Sequence, residues 1–186
     1  MLAALLAACS PEAPKFRSTD ITGADFGRTL ELTGHDGKPR ALADFRGKVV
    51  VLFFGYTHCP DICPTTLADM AAVMKKLGSQ AARVQVLFVT VDPQRDTPDV
   101  LAKYVPAFDA GFLGLSGDAA ATQRTAKEFR IFYEQRAGGA PGAYTVDHSA
   151  QSYVLDALGR LRLFVRQDRI AQDLEEDLRT LLKEKT

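Results

Sequence analysis

Val49-Val50-Val51-Leu52-Phe53-Phe54-Gly55-Tyr56-Thr57-His58-Cys59-Pro60-Asp61-Ile62-Cys63-Pro64 is the stretch whose reading decides the fold. Its first six residues are β-branched, leucine or aromatic, the pattern of a short strand buried on both faces of a parallel sheet. Pro64 suits a first helical position, where its fixed φ is preorganised and its missing N–H costs nothing. The two cysteines therefore fall in a strand-to-helix turn, with Cys63 beside a helix N-terminus. The partial positive charge at such a terminus favours a thiolate, the form that attacks disulfides and binds metals. Thiol chemistry and soft-metal binding both follow from this turn, and the rest of the chain has to separate them.

Downstream, Leu67, Met70, Ala71, Met74 and Leu77 recur on one helical face, and Gly78 is a stop signal. Met70 and Met74 could be read as copper thioethers, but at this spacing they read as core. Residues 84–91 form a second apolar run that ends at Asp92-Pro93, so strand, helix and strand make a βαβ unit. Thr97-Pro98 opens a third element as N-cap and first position, and Pro106 closes it. Residues 113–116 read as a short strand, and Asp118 as the cap of a helix that reaches about Phe129. Ile131-Phe132-Tyr133 and Ala143-Tyr144-Thr145-Val146 flank a glycine-rich tip at 137–142, an inserted hairpin. Residues 153–155 and 161–165 then make strand, turn and strand. Asp168 is expected to cap a last helix with an apolar stripe of Ile170, Leu174, Leu178, Leu181 and Leu182. Upstream, Asp36-Gly37 marks the turn of a hairpin between Leu30-Glu31-Leu32 and Ala41-Leu42, with His35 expected in solvent. The expectation is an α/β, thioredoxin-like three-layer fold with an N-terminal hairpin and an inserted hairpin before the last strands.

A chain of 186 residues is long enough for one domain with its own core. Its 23 basic and 23 acidic residues leave no net charge and so no electrostatic footprint for nucleic acid. No run approaches the ~20 apolar residues that span a bilayer. Leu6-Ala7-Ala8-Cys9 resembles the lipobox of bacterial lipoproteins, in which the peptide is cut before the cysteine and the cysteine carries lipid. The apolar start lacks the Lys or Arg that normally precedes such a segment. The expected division is a signal remnant at 1–8, a tether at 9–22 and a thioredoxin-like domain at 23–186. Lipid on Cys9 would place that domain on the periplasmic side of a bacterial inner membrane, where the remaining pair, Cys59 and Cys63, can form a disulfide.

Three residues separate Cys59 from Cys63, one more than in a thioredoxin-type redox motif. The wider turn can close a disulfide or open both sulfurs toward a metal. Two thiolates favour Cu(I), and an added imidazole suits copper, zinc or iron. Of the three histidines, His35 lies in a hairpin turn and His58 points away from Cys59 if the strand geometry continues. His148 falls before a strand in the region facing the cysteine turn. With no fourth protein ligand in sight, a structural zinc site fits less well than copper. The block at 55–67, Gly-Tyr-Thr-His-Cys-Pro-Asp-Ile-Cys-Pro-Thr-Thr-Leu, resembles the signature of the Sco/SenC copper proteins. Residues 89–98 (Val-Thr-Val-Asp-Pro-Gln-Arg-Asp-Thr-Pro) and 146–150 (Val-Asp-His-Ser-Ala) resemble two further blocks of that family.

The resemblance implies a copper site of Cys59, Cys63 and His148, with Cu(I) or Cu(II) as the working form, and places Asp92 near it. Asp92 also reads simply as the end of a strand before Pro93, and Asp61 is a second acidic residue to follow. The implied role is delivery of copper to, or maturation of, the Cu-A centre of cytochrome c oxidase. The implied partners are the copper-bearing subunit of that oxidase and a periplasmic copper donor. A thiol-disulfide reductase acting on the cysteines of a copper acceptor is the alternative. Thioredoxin-like oxidoreductases carry a cis-proline before the strand facing their cysteines, and residues 145–150 contain none, which favours metal. A peroxide-reducing or redox-sensing role is a third reading, with no marked peroxide pocket behind it.

Overall fold

The structure, a computed structural model, describes residues 14–139 and 142–184. In chain order it contains β1 (Thr19–Asp20), β2 (Glu31–Gly34), β3 (Pro39–Ala41), β4 (Val49–Gly55), α1 (Ile62–Leu77), β5 (Val84–Thr90) and α2 (Pro98–Tyr104). There follow β6 (Leu113–Ser116), α3 (Ala119–Glu128), β7 (Tyr133–Ala137), β8 (Tyr144–His148), β9 (Ser152–Leu155), β10 (Leu161–Val165) and α4 (Ile170–Leu181). Eight strands form one sheet in the order β1-β10-β9-β4-β5-β6-β2-β3, and β7 and β8 pair separately.

The decisive stretch sits at the centre of that sheet. β4 pairs parallel with β5 and antiparallel with β9, so every residue of β4 is buried. Its side chains alternate between faces. Phe53 packs toward Phe88 and His148, while Phe54 meets Phe129 beyond α3, with ring centroids 5.6 Å apart. α1 and α4 pack on each other and bury most of their expected stripes: Leu67, Met70, Met74 and Leu77 on α1, with Ala71 half-buried and Val73 buried as well, and Ile170, Leu174, Leu178 and Leu181 on α4. Both methionines are core residues. Helices thus cover a central sheet, the thioredoxin-like three-layer arrangement the sequence implies.

The expected caps hold at Thr97, which accepts from Val100 N–H, and at Asp118, which accepts from Ala121 N–H at 2.7 Å. Asp168 does not cap α4. A 3-10 turn at Gln167–Arg169 intervenes, and Asp168 pairs with Arg166 instead. Helix α3 ends without a glycine: Arg130 takes the left-handed φ of 53°, and Ile131 N–H reaches back to the Ala126 carbonyl at 2.7 Å. That turn takes Ile131 and Phe132 out of the inserted hairpin, which begins at Tyr133. His35 is half-buried, not in solvent, because its Nδ1 accepts from Gly114 N–H at 3.0 Å.

Within the segment expected as a tether, residues 17–20 pack on the rest of the fold. Asp177 on α4 accepts from the backbone N–H groups of Arg17 and Ser18 at 2.7 and 2.9 Å, and β1 pairs with β10. Cys9 and the lipobox-like segment lie outside the described residues. Among the described residues no helix is long and apolar enough to cross a membrane.

Candidate metal centre

The site grows from the end of β4. Gly55 closes the strand, and a Cβ there would stand 2.8 Å from Cys63 Sγ, so the missing side chain is the space the sulfur occupies. Tyr56 stays buried, and Thr57 begins the turn. The buried Asp96 braces that turn: its carboxylate accepts from Thr57 N–H at 2.9 Å, from the Thr57 hydroxyl at 2.6 Å and from the Thr90 hydroxyl at 2.6 Å.

Helix α1 begins at Ile62, two residues before the expected start, so Pro64 stands third in the helix. The consequence for it is small, since any of the first four N–H groups lacks an intrahelical partner. The consequence for the cysteines is large. Asp61 is exposed and makes no side-chain cap; instead the Cys63 N–H donates to Cys59 Sγ at 3.4 Å. The cap of this helix is a sulfur. The thiolate is therefore held on Cys59, not on Cys63 as the position beside the N-terminus implied.

Electrostatics follow the same asymmetry. A hydrogen bond from the Cys63 thiol, then the backbone N–H groups of Asp61 and Cys63, pull Cys59 down to about 5 against its burial. Cys63 is pushed up, first because it donates to Cys59 and second because it is fully buried. Burial likewise raises Tyr56 and Tyr104, and the charge of the sulfur pair raises both further.

His148 arrives from the far end of β8. Its Nδ1 lies 2.9 Å from the Ser149 carbonyl. A carbonyl only accepts, so Nδ1 carries the proton and Nε2 presents its lone pair. That lone pair points at the sulfurs, with Nε2 3.4 Å from Cys63 Sγ. The ring is held edge-on by Tyr56 and Phe53, at centroid distances of 5.8 and 6.5 Å. The ligand atoms of Cys59, Cys63 and His148 all lie within 4.8 Å of one another, a group able to hold a metal ion. Both cysteines are free thiols here.

His58 stays outside this group, exposed, with Nδ1 3.1 Å from the Thr57 hydroxyl oxygen. Asp92 stays outside it too, buried and bound to Arg95 and to the Tyr144 hydroxyl. The supports Gly55, Asp96, Arg95 and Tyr144 are absent from the sequence-based set. A glycine ending a buried strand was a readable sign of close approach. The bonds by which the others reach the cysteine turn and the hairpin span 39 to 52 residues, so their supporting role carries no local signal.

Residues 18–183 match the family model described as SCO1/SenC. The chain belongs to the SCO1/SenC family. Among solved structures, apo Sco1 of Thermus thermophilus is 40% identical, with a TM-score of 0.80, over 91% of this chain and 99% of that one. Copper-bound ScoI of Bradyrhizobium japonicum is 35% identical, with a TM-score of 0.76, over 84% of this chain and 97% of that one. The mitochondrial SCO2 homolog of Mus musculus is 37% identical over 152 residues, which cover 81% of this chain. This SCO1/SenC chain spans about 60% of the length of that mouse protein.

Proposed function

We propose that this protein binds copper through Cys59, Cys63 and His148 and hands it to an acceptor during cytochrome c oxidase assembly. One observation carries the reading: two sulfurs and an imidazole lone pair meet within 4.8 Å, on a domain similar to a copper-bound relative. Two soft sulfurs suit Cu(I), and the imidazole extends the set to Cu(II). Copper here is cargo. A site with two ligands on one turn and the third on a separate hairpin can release the third ligand without breaking the pair. The acceptor we infer is the copper-bearing, Cu-A subunit of the oxidase, loaded after a periplasmic donor charges this chain. Lipid on Cys9 would hold the domain at the inner membrane on that side.

The reading is tested by metal analysis of protein purified reduced under copper. Wild type should hold one copper per chain. Cys59→Ala or Cys63→Ala should abolish Cu(I) binding, and His148→Ala should weaken it and change the Cu(II) spectrum. A His148→Ala variant unchanged in both oxidation states would refute the three-ligand site. Oxidation should join Cys59 to Cys63 and block copper uptake, because the bond consumes the same sulfur electrons.

The polarity of the two thiols favours a second reading, a dithiol reductant. The half-exposed Cys59 thiolate would attack an acceptor disulfide, and the leaving sulfur would take up a proton. Cys63, deprotonated in turn, would displace the mixed disulfide, leaving Cys59–Cys63 oxidised and the acceptor reduced. A reduced, copper-free chain that converts an acceptor disulfide to thiols stoichiometrically would establish it.

A further inference from the structure

β8 and its partner β7 stand apart from the main sheet, so something other than the ladder must fix where His148 ends up. Side chains alternate along a strand, which puts residues 144, 146 and 148 on one face. Val146 is buried there, and His148 meets Cys63. At the near end the Tyr144 hydroxyl donates to Asp92 Oδ1 at 2.8 Å. Arg95 closes the arrangement. Its Nη1 donates to the Tyr144 carbonyl at 3.0 Å, its Nε donates to Asp92, and its guanidinium lies over the Tyr144 ring at 3.5 Å. Asp92 itself is fully buried just past β5, where Val91 N–H bonds the Gly55 carbonyl at 2.9 Å. A continuous path therefore runs from the strand end that holds the cysteine turn, through Asp92, Arg95 and Tyr144, to the strand that carries the imidazole.

We propose that Tyr144 and Arg95, anchored on Asp92, form a latch that positions His148 and so sets the imidazole's share of copper binding. Both are positioning residues: neither touches the sulfurs. The proposal rests on the copper reading above. β7 is exposed beyond Tyr133, so with the latch open the described residues of the hairpin hold to the body mainly through Tyr133, Val146 and the imidazole itself. Closed, the latch keeps Nε2 where the two sulfurs already are. Opened by a docking partner, it would withdraw one ligand of three and leave copper on two thiolates, the state best suited to transfer.

The test is a double-mutant cycle of Tyr144→Phe and His148→Ala, read as Cu(I) affinity by chelator competition. Tyr144→Phe keeps the ring under Arg95 and removes only the hydroxyl. Supports of metal ligands cost about 10–100-fold in affinity when lost. An about tenfold loss in the wild-type background and none in the His148→Ala background is expected. The Cu(II) form of Tyr144→Phe should show weakened nitrogen coupling with its sulfur-to-copper bands kept. In the metal-free protein, amide exchange at 144–148 should quicken about tenfold while the urea midpoint holds. An equal loss in both backgrounds, or no loss in either, overturns the latch, and so does unchanged exchange. A wild-type chain that binds no copper overturns the copper reading instead, and the latch's ligand role with it.

Discussion

Gly55→Ala is the smallest change that should disturb both core and site. The added Cβ would lie 2.8 Å from Cys63 Sγ, 2.9 Å from Phe88 Cε2 and 3.2 Å from Phe53 Cε1. Nonbonded carbons are comfortable at about 3.5–4.0 Å, so the sulfur and Phe88 must retreat by roughly half an ångström or more and Phe53 by about 0.3 Å. Cys63, Phe88 and Phe53 are all fully buried, and both rings are carried by strands of the central sheet, so the retreat falls mainly on the sulfur. Overpacking of this kind costs about 1–3 kcal/mol. Stiffening the unfolded chain offsets about 0.4–1 kcal/mol of that. A net loss of about 1–2 kcal/mol remains. With a urea m-value of about 2 kcal/mol per molar, the unfolding midpoint should fall by roughly 0.5–1 M. The movable neighbour is the sulfur, so Cys63 should also shift relative to Cys59 and His148, and Cu(I) affinity should drop about tenfold, as for other disturbed metal supports. Gly139→Ala is the control, since nothing lies within 4 Å of its Cβ position, and it should stay within about 0.5 kcal/mol of wild type. A Gly55→Ala protein with wild-type stability and copper affinity would refute the claim that this glycine makes the space for the sulfur.

The thiol asymmetry should appear in alkylation of the reduced, metal-free chain: Cys59 should react at pH 6–7, its rate rising through an apparent pKa far below 9, while Cys63 stays protected. The lowered Cys59 value also contributes stability, fully present above the unfolded thiol's 9 and lost as pH falls through about 5, so the unfolding midpoint should decline across that window; a flat profile in which Cys59→Ser matches wild type would contradict it. Asp96→Ala should orphan the Thr57 N–H and two hydroxyls and cost about 3 kcal/mol by urea unfolding, with copper affinity falling as the cysteine turn loosens; a loss under about 1 kcal/mol would mean the brace is dispensable. Cys9→Ser should move the protein from the membrane to the soluble fraction while copper binding persists; an unmodified chain already in the soluble fraction would rule out the lipid anchor.

The legible parts of this molecule were those written locally. The buried run at 49–54, the α1 stripe and the caps at Thr97 and Asp118 each need only a few neighbouring residues to be read, and each formed as read. Cys59, Cys63 and His148 were legible because thiolate and imidazole chemistry is rare enough to stand out in a chain, and the fold does bring them together. What stayed hidden depends on long-range partners. Which sulfur carries the charge turned on where α1 starts, and that start is set by a sulfur acting as cap, a device outside the Ser, Thr, Asp and Asn vocabulary by which caps are recognised. The left-handed Arg130 ends α3 where no glycine announces it, and its guanidinium reaches Asp25 and the face of Phe26, far along the chain. Tyr144 looked like one more strand aromatic until Asp92, 52 residues away, gave its hydroxyl a partner. The pattern has a physical reason. Groups that bind a metal are constrained by their own chemistry, and so are recognisable by type. Groups that hold those ligands in place are constrained only by distance, and almost any donor or acceptor of the right reach would serve. Residue type therefore shows where copper would sit, while its retention or release rests on contacts that only the folded chain makes visible.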